Sequence, residues 1–171
     1  PPMHPKSSAR AQRYLEKMGV IIKLNAMVQD YDGETITLKN GEQIKSFFVV
    51  WSAGVMGEVL PVVPKEWTER GRILTDPFCR AIGSSNIFAI GDIALMKLED
   101  YPRGHPGVAQ PAIQMGKYVA KNLFALHRNE TVKPFKYFDK GSLATVGKNL
   151  AVADFGKLRF QGFFAWLIWG F

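Results

Sequence analysis

Apolar residues recur along this chain with two different periods. Ser7-Ser8 precede Ala11, Tyr14, Leu15 and Met18, spaced i, i+3, i+4, i+7. That spacing predicts a capped helix, with Gly19 as its C′ stop. Val20-Ile21-Ile22-Lys23-Leu24 then reads as a strand. Met27 to Tyr31 and Glu34 to Leu38 flank Asp32-Gly33, a hairpin signature, and Asn40-Gly41 marks a second tight turn. Phe47-Phe48-Val49-Val50-Trp51 is an unbroken apolar run, which predicts a strand covered on both faces. The small residues of Ser52-Ala53-Gly54-Val55-Met56-Gly57 predict a domain boundary near residue 54, and prolines at 61, 64 and 77 punctuate the stretch beyond it. Asn86 to Ile90 predicts a further buried strand ending in Gly91-Asp92, and Pro102 to Pro106 a loop. A helix is expected from Gln110 to about His127, with Pro111 in its first turn and Ala112, Met115, Val119 and Leu123 at helical spacing. Short strands are expected at Leu143–Val146 and Leu150–Ala153. The fold class is α/β.

Composition narrows the function classes. The chain has 171 residues, a net charge of +7 and 47% hydrophobic residues, a packed globular balance that excludes disorder as the overall state. A single cysteine, Cys79, excludes a disulfide framework and any zinc site built on several thiolates. His4, His105 and His127 have no metal-ligand spacing, so no metal is assigned. No run of 18 apolar residues occurs. The basic residues are scattered and form no basic-aromatic motif, which argues against a nucleic-acid partner. The last twelve residues stand apart: Phe160, Phe163, Phe164, Trp166, Trp169 and Phe171 follow Lys157 and Arg159. An apolar surface of that kind marks an interface with a membrane or another protein.

Two stretches are candidates for chemistry. A strand ending in Gly91-Asp92 places a carboxylate at the carboxyl edge of a sheet, where α/β folds bind ligands and where Asp can accept bonds from a ligand hydroxyl. The plain alternative is a turn aspartate. Gln110 and Gln114, four apart, share a face at the start of the second long helix, whose N-terminus carries roughly half a positive charge. They serve either an anionic or electron-rich ligand or simply a solvated surface. Glu99-Asp100 reads as a solvated turn, and Lys6, Arg10 and Arg13 as a solvated helix face. Cys79, expected in a strand after Pro77-Phe78, reads as buried and inert.

Taken in order, Trp51-Ser52-Ala53-Gly54, Asp76-Pro77-Phe78 and Ile87-Phe88-Ala89-Ile90-Gly91-Asp92 resemble the second half of the two-dinucleotide-binding-domain flavoproteins, with their FAD/NAD(P)-binding Rossmann-like fold. Ala109-Gln110-Pro111-Ala112-Ile113-Gln114 resembles the Ala-Gln…Gln motif of the type II NADH dehydrogenases, the single-chain NADH:quinone oxidoreductases. Lys140 to Lys148, leading into Gly162-Phe163-Phe164-Ala165-Trp166-Leu167, is similar to that family's C-terminal region. The resemblance implies FAD as cofactor, NADH as substrate and quinone as acceptor. It implies that Gly91 and Asp92 meet the ribityl chain of FAD and that Gln110 lies beside the flavin ring. Gln110, Ile113 and Gln114 would wall a quinone pocket, with Gln110 and Gln114 as the catalytic pair, and Ala53-Gly54 would face the nicotinamide. Residues 160–171 would lie on the membrane surface, at the cytoplasmic face of a bacterial inner membrane. A homodimer is compatible with this reading.

The whole family protein needs two Gly-x-Gly-x-x-Gly turns for its two pyrophosphates, and neither occurs here. The expected organisation is therefore that of a fragment lacking the N-terminal FAD half. Residues 1–54 would be the end of an NAD(H)-binding domain and residues 55–135 the end of an FAD-binding domain. Residues 136–171 would lead into a truncated aromatic helix. Alone, such a chain is expected to be inactive. Two rivals remain open: a soluble FAD-dependent pyridine-nucleotide reductase of the disulfide or ferredoxin type, and a non-enzymatic membrane-surface module.

Overall fold

The structure, a computed structural model, describes residues 3–54 and 57–169. The chain divides into two compact units, one of Pro1–Ala53 with Gly141–Phe171 and one of Gly54–Lys140.

In the first unit, helix α1 (Pro5–Lys17) begins earlier than the serines predict. His4 caps it: its Nδ1 accepts the Lys6 N–H at 3.2 Å, and Pro5 occupies the first turn, where a missing N–H costs nothing. This releases Ser7 for another task. Its hydroxyl donates to Asp154 Oδ1 at 2.6 Å while the His4 N–H donates to Oδ2 at 2.8 Å, pinning the helix start to strand β8 (Ala151–Phe155). Burial pushes the Asp154 carboxyl up, but these two donors outweigh it and leave it below the ordinary aspartate range. The helix closes as Gly19 predicts. Gly19, at φ +84°, donates to Glu16 O and Val20 donates to Leu15 O, the paired bonds of a Schellman motif.

Strands β1 (Val28–Tyr31), β2 (Thr35–Leu38) and β3 (Gln43–Lys45) form an antiparallel meander. Its turns are those of the Asp-Gly and Asn-Gly signals, with Asp32 Oδ1 accepting the N–H groups of Glu34 and Thr35. Strands β7 (Ser142–Thr145), β8 and β9 (Leu158–Gln161) form a second antiparallel sheet. Helix α3 (Gly162–Trp169) lays Ala165 onto Ala151 and Ala153 of β8.

Two expected strands of this unit do not form. Val20–Leu24 and Phe47–Trp51 pair with no strand among the described residues. Ile21 is 86% exposed, and Phe47 and Phe48 are 82% exposed. A strand is held by its ladder partners, and the described chain supplies none to either run.

In the second unit, β4 (Thr68–Glu69) pairs antiparallel with β5 (Arg72–Thr75), which pairs parallel with β6 (Ala94–Met96). The strand expected at Asn86–Ile90 is displaced. Residues 79–89 fold back as a loop, with Ala81 N–H on Ile87 O and Ala89 N–H on Cys79 O. The ladder therefore starts only beyond Gly91, at Ala94. Cys79 accordingly lies in a turn at φ +62°, not in a strand. Asp76 organises that turn by accepting the N–H groups of Phe78 and Arg80 at 2.8 and 2.9 Å. Helix α2 (Ala109–His127) buries Met115 beside Met96, Cys79 and Phe135.

Candidate functional site

The site is built where the loop before β6 meets the start of α2. Gly91–Ile93 form a single 3-10 turn between residue 90 and β6. Gly91 sits at φ +68°, a conformation that disfavours any side chain. A Cβ there would also lie 3.1 Å from Ala112 Cβ, a tight contact, so glycine lets the turn lie this close to α2 without displacing it. The Gly91 N–H points at Met115 Sδ, 3.4 Å away. This docking carries Asp92 toward the helix start. Its Oδ1 lies 3.4 Å from the position a Cβ on Gly107 would take, two residues before α2 begins. Asp92 is exposed.

Helix α2 opens without a side-chain cap, because its N-cap residue is Val108, and its first turn has no acidic residue. Its leading N–H groups therefore have no intrahelical acceptor and carry the positive end of the helix dipole. One place thus offers an exposed carboxylate that accepts from hydroxyls and a row of backbone donors that favours negative charge. Together with the glycine-lined approach, this suits the sugar chain and the electron-rich ring of a flavin. The fit rests on these groups alone.

The two glutamines are not a solvated face. Gln114 Nε2 donates to Phe138 O at 2.8 Å and Gln114 Oε1 accepts the Phe138 N–H at 3.0 Å, a two-bond clasp on one backbone residue. Gln110 Oε1 accepts the Lys140 N–H at 3.1 Å. Both glutamines thus hold the extended segment 138–140 along the first turns of α2. Between them Ile113 is 55% exposed. The i, i+4 spacing identified the shared face. It carried no sign of the backbone that the face grips, because that backbone lies 24 to 30 residues away.

The remaining sequence candidates divide. Ala53 ends one unit and Gly54 begins the other; both are exposed, and Gly54 has φ +80°. Cys79 is fully buried, and burial, with Asp76 beside it, pushes its thiol up to about 12. Among the described residues no group of three metal-ligating side chains occurs. No helix among the described residues is long and apolar enough to cross a membrane. Phe163, Phe164, Leu167 and Ile168 of α3 are exposed, whereas Phe171 lies outside the described residues.

One feature was not foreseen. His105 is 4% exposed and stands in an aromatic box, its ring centre 4.4 Å from Tyr101, 5.4 Å from Tyr137 and 5.5 Å from Phe135. Neither ring nitrogen has a hydrogen-bond partner among the described residues. Burial, reinforced by the Arg72 charge, lowers its pKa below the ordinary histidine value.

Residues 1–116 match the family model described as pyridine nucleotide-disulphide oxidoreductase. The chain is 40% identical over 99% of its length to the Mycobacterium tuberculosis protein named type II NADH:quinone oxidoreductase NdhA. It is 42% identical over 99% of its length to that organism's type II NADH:quinone oxidoreductase Ndh. It spans 38% of the length of each. Among solved structures, NDH2 from Plasmodium falciparum in complex with NADH superposes with a TM-score of 0.80 at 19% identity, covering 97% of this chain and 50% of that one. The sulfide:quinone oxidoreductase of Aquifex aeolicus superposes with a TM-score of 0.73 at 16% identity, covering 96% of this chain and 42% of that one. At these identities the likeness is one of fold.

Proposed function

Because the chain belongs to the pyridine nucleotide-disulphide oxidoreductase family, we propose that it forms part of an FAD-dependent NADH:quinone oxidoreductase seated on a membrane surface. When bound, the flavin accepts hydride from NADH and passes the electrons to quinone. The chain's own contribution is positional and electrostatic. The Asp92 carboxylate accepts from hydroxyls of the cofactor's sugar chain. The uncapped start of α2 stabilises negative charge on the ring with backbone N–H groups that are already oriented, so no reorganisation is needed during the reaction. Gln110, Ile113 and Gln114 line the quinone side of that helix. Gln110 orients a quinone carbonyl and moves no proton, since an amide does not titrate near neutrality. Ala53 and Gly54 face the nicotinamide. Helix α3 lies on lipid at the cytoplasmic face of a bacterial inner membrane, a reading supported by the exposure of Phe163, Phe164, Leu167 and Ile168.

The observation that carries this reading is the docking of the Gly91–Ile93 turn on α2, which brings Asp92 to the helix start. The surface supports the idea that more polypeptide completes the site. Two separate compact units of this size would together expose about 10,000 Å², whereas the chain exposes 12870 Å². Phe47, Phe48, Trp51 and Ile113 are among the exposed apolar side chains.

A chimera tests the reading, with this chain replacing the matching part of the mycobacterial NdhA. It should retain flavin through gel filtration and reduce quinone with NADH, and Asp92→Ala should release the flavin. A folded chimera that keeps its flavin and oxidises NADH, yet reduces no quinone, would refute the assignment. The isolated chain should retain no flavin and show no NADH oxidation; stoichiometric flavin retention would contradict its proposed dependence on further polypeptide.

A further inference from the structure

Helix α1 and strand β9 flank a solvent-open cavity of about 670 Å³. Lys6, Arg10, Arg13 and Arg159 line it, and no carboxylate does among the described residues. The three α1 cations are spaced i, i+4, i+7 and so share one helix face. Arg10 is held at the wall by Gln161, whose Oε1 accepts its Nε–H at 2.6 Å. Asp154, the acid opposite Arg159 across the β8–β9 ladder, is already engaged by the Ser7 hydroxyl and the His4 N–H. Asp154 keeps its negative charge while accepting those bonds and attracts Arg159. Four cations therefore stand against one neighbouring carboxylate, and the cavity is net positive and of a size that takes a small anionic group.

A second cavity, of about 490 Å³, adjoins it. Arg159, Phe160 and Gln161 belong to both linings, and Phe164, Leu167 and Ile168 complete the second. A cationic pocket that shares a wall with an apolar groove is complementary to an amphiphile with an anionic head and a hydrocarbon tail. Arginine in particular favours phosphate, which its planar fork can bind through two bonds.

We propose that this double cavity is a binding site for one anionic phospholipid. The headgroup phosphate sits among Arg10, Arg13, Lys6 and Arg159, and an acyl chain lies against Phe164, Leu167 and Ile168. The inference rests on the membrane-surface reading of α3 and deepens it. The aromatic helix supplies attachment to any bilayer, and the α1 cations make the attachment selective for phosphate-bearing lipid of net negative charge. Helix α1, read from sequence as a solvated basic face, thereby acquires a ligand.

The test is partition of the full chain onto phosphatidylcholine vesicles with and without phosphatidylglycerol. Partition should rise when phosphatidylglycerol is present. The double variant Arg10→Ala, Arg13→Ala should lose about 25-fold in partition onto the anionic vesicles, at about fivefold per cation, with binding to neutral vesicles unchanged. Arg10→Lys with Arg13→Lys should recover most of it. Phe164→Ser with Leu167→Ser should weaken binding to both vesicle types. Lys39→Ala with Lys45→Ala removes the same charge outside the cavity, and an equal loss there would overturn the site in favour of general attraction. Short-chain phosphatidylglycerol and inorganic phosphate, each titrated without vesicles, separate the two sources of phosphate. Arginine-dependent binding of inorganic phosphate as tight as that of the lipid would overturn the proposal. Wild-type flotation that is equal on both vesicle types defeats this inference alone. No flotation on either defeats the membrane reading as well.

Discussion

His105 offers a prediction whose sign and ceiling are set by its surroundings. Its imidazole is enclosed by Tyr101, Phe135 and Tyr137, and both nitrogens lack partners among the described residues. Burial therefore disfavours the charged form, and Arg72 adds like-charge repulsion. The folded pKa lies below the unfolded value of about 6.5, so below that pH the unfolded chain binds more protons than the folded one. Stability is fully present above about pH 6.5 and falls as pH drops through it, with a slope of at most about 1.4 kcal/mol per pH unit for one proton. The loss levels off once pH passes below the folded pKa. Replacing the ring with His105→Phe removes two unpaired polar atoms from an aromatic box and keeps a planar aromatic ring there, although a somewhat larger one whose packing cost offsets part of the gain. An unsatisfied buried polar atom costs about 1–3 kcal/mol, so the variant should be more stable at pH 7. It should also lose its share of the acid slope. Urea unfolding of both proteins across pH 5–8, followed by tryptophan fluorescence, measures both effects. A variant that is less stable at neutral pH, or one with an unaltered acid slope, would show that the imidazole is paired and that the box is not apolar as argued.

Other consequences are more local. Gly91→Ala must accommodate a Cβ at φ +68° within 3.1 Å of Ala112. It should cost about 2 kcal/mol, read as a lower urea midpoint, and in the chimera it should loosen flavin. Gln114→Ala removes both bonds to residue 138, at about 1 kcal/mol each, and hydrogen exchange at the Phe138 amide should accelerate correspondingly. Cys79, with its thiol raised to about 12, has a thiolate fraction of about one in ten thousand at pH 8. It should react with a disulfide reagent only as fast as the chain unfolds.

How much of this was legible in sequence depends on the range of the interaction concerned. Gly19, Asp32-Gly33 and Asn40-Gly41 act through bonds to residues two to five positions away, and the structure places a helix end and two turns there. The apolar period of residues 112–123 is likewise local, and α2 obeys it. Val20–Leu24 and Phe47–Trp51 have the composition of strands, yet strand formation needs a partner that composition cannot name, and both lie exposed. The start of α1 moved for a related reason: Ser7, a good cap by type, is taken by Asp154, 147 residues away, and His4 caps instead. In the site, Gly91-Asp92 announced the turn and its carboxylate. The packing of that turn against Ala112 and Met115, which gives the carboxylate its place, was beyond any local pattern.

The glutamines sharpen what the site can do. Gln114 spends both halves of its amide on Phe138, and the Gln110 oxygen is engaged by Lys140. A quinone or a charged ring at the start of α2 would therefore draw its stabilisation chiefly from the backbone N–H groups of the first turn, with the glutamines fixing the wall it rests against. This separates two outcomes in the chimera. If Gln110 orients the quinone, Gln110→Ala should slow quinone reduction far more than flavin reduction by NADH, because the helix donors that favour charge on the ring remain in place. A Gln110→Glu variant keeps an acceptor for Lys140 but sets a negative charge at the positive end of the helix. It should therefore slow flavin reduction as well, by opposing the charge that the ring gains. Stopped-flow measurement of each half-reaction distinguishes the two. Equal slowing of both half-reactions by Gln110→Ala would mean that the residue acts only through the 138–140 segment it holds.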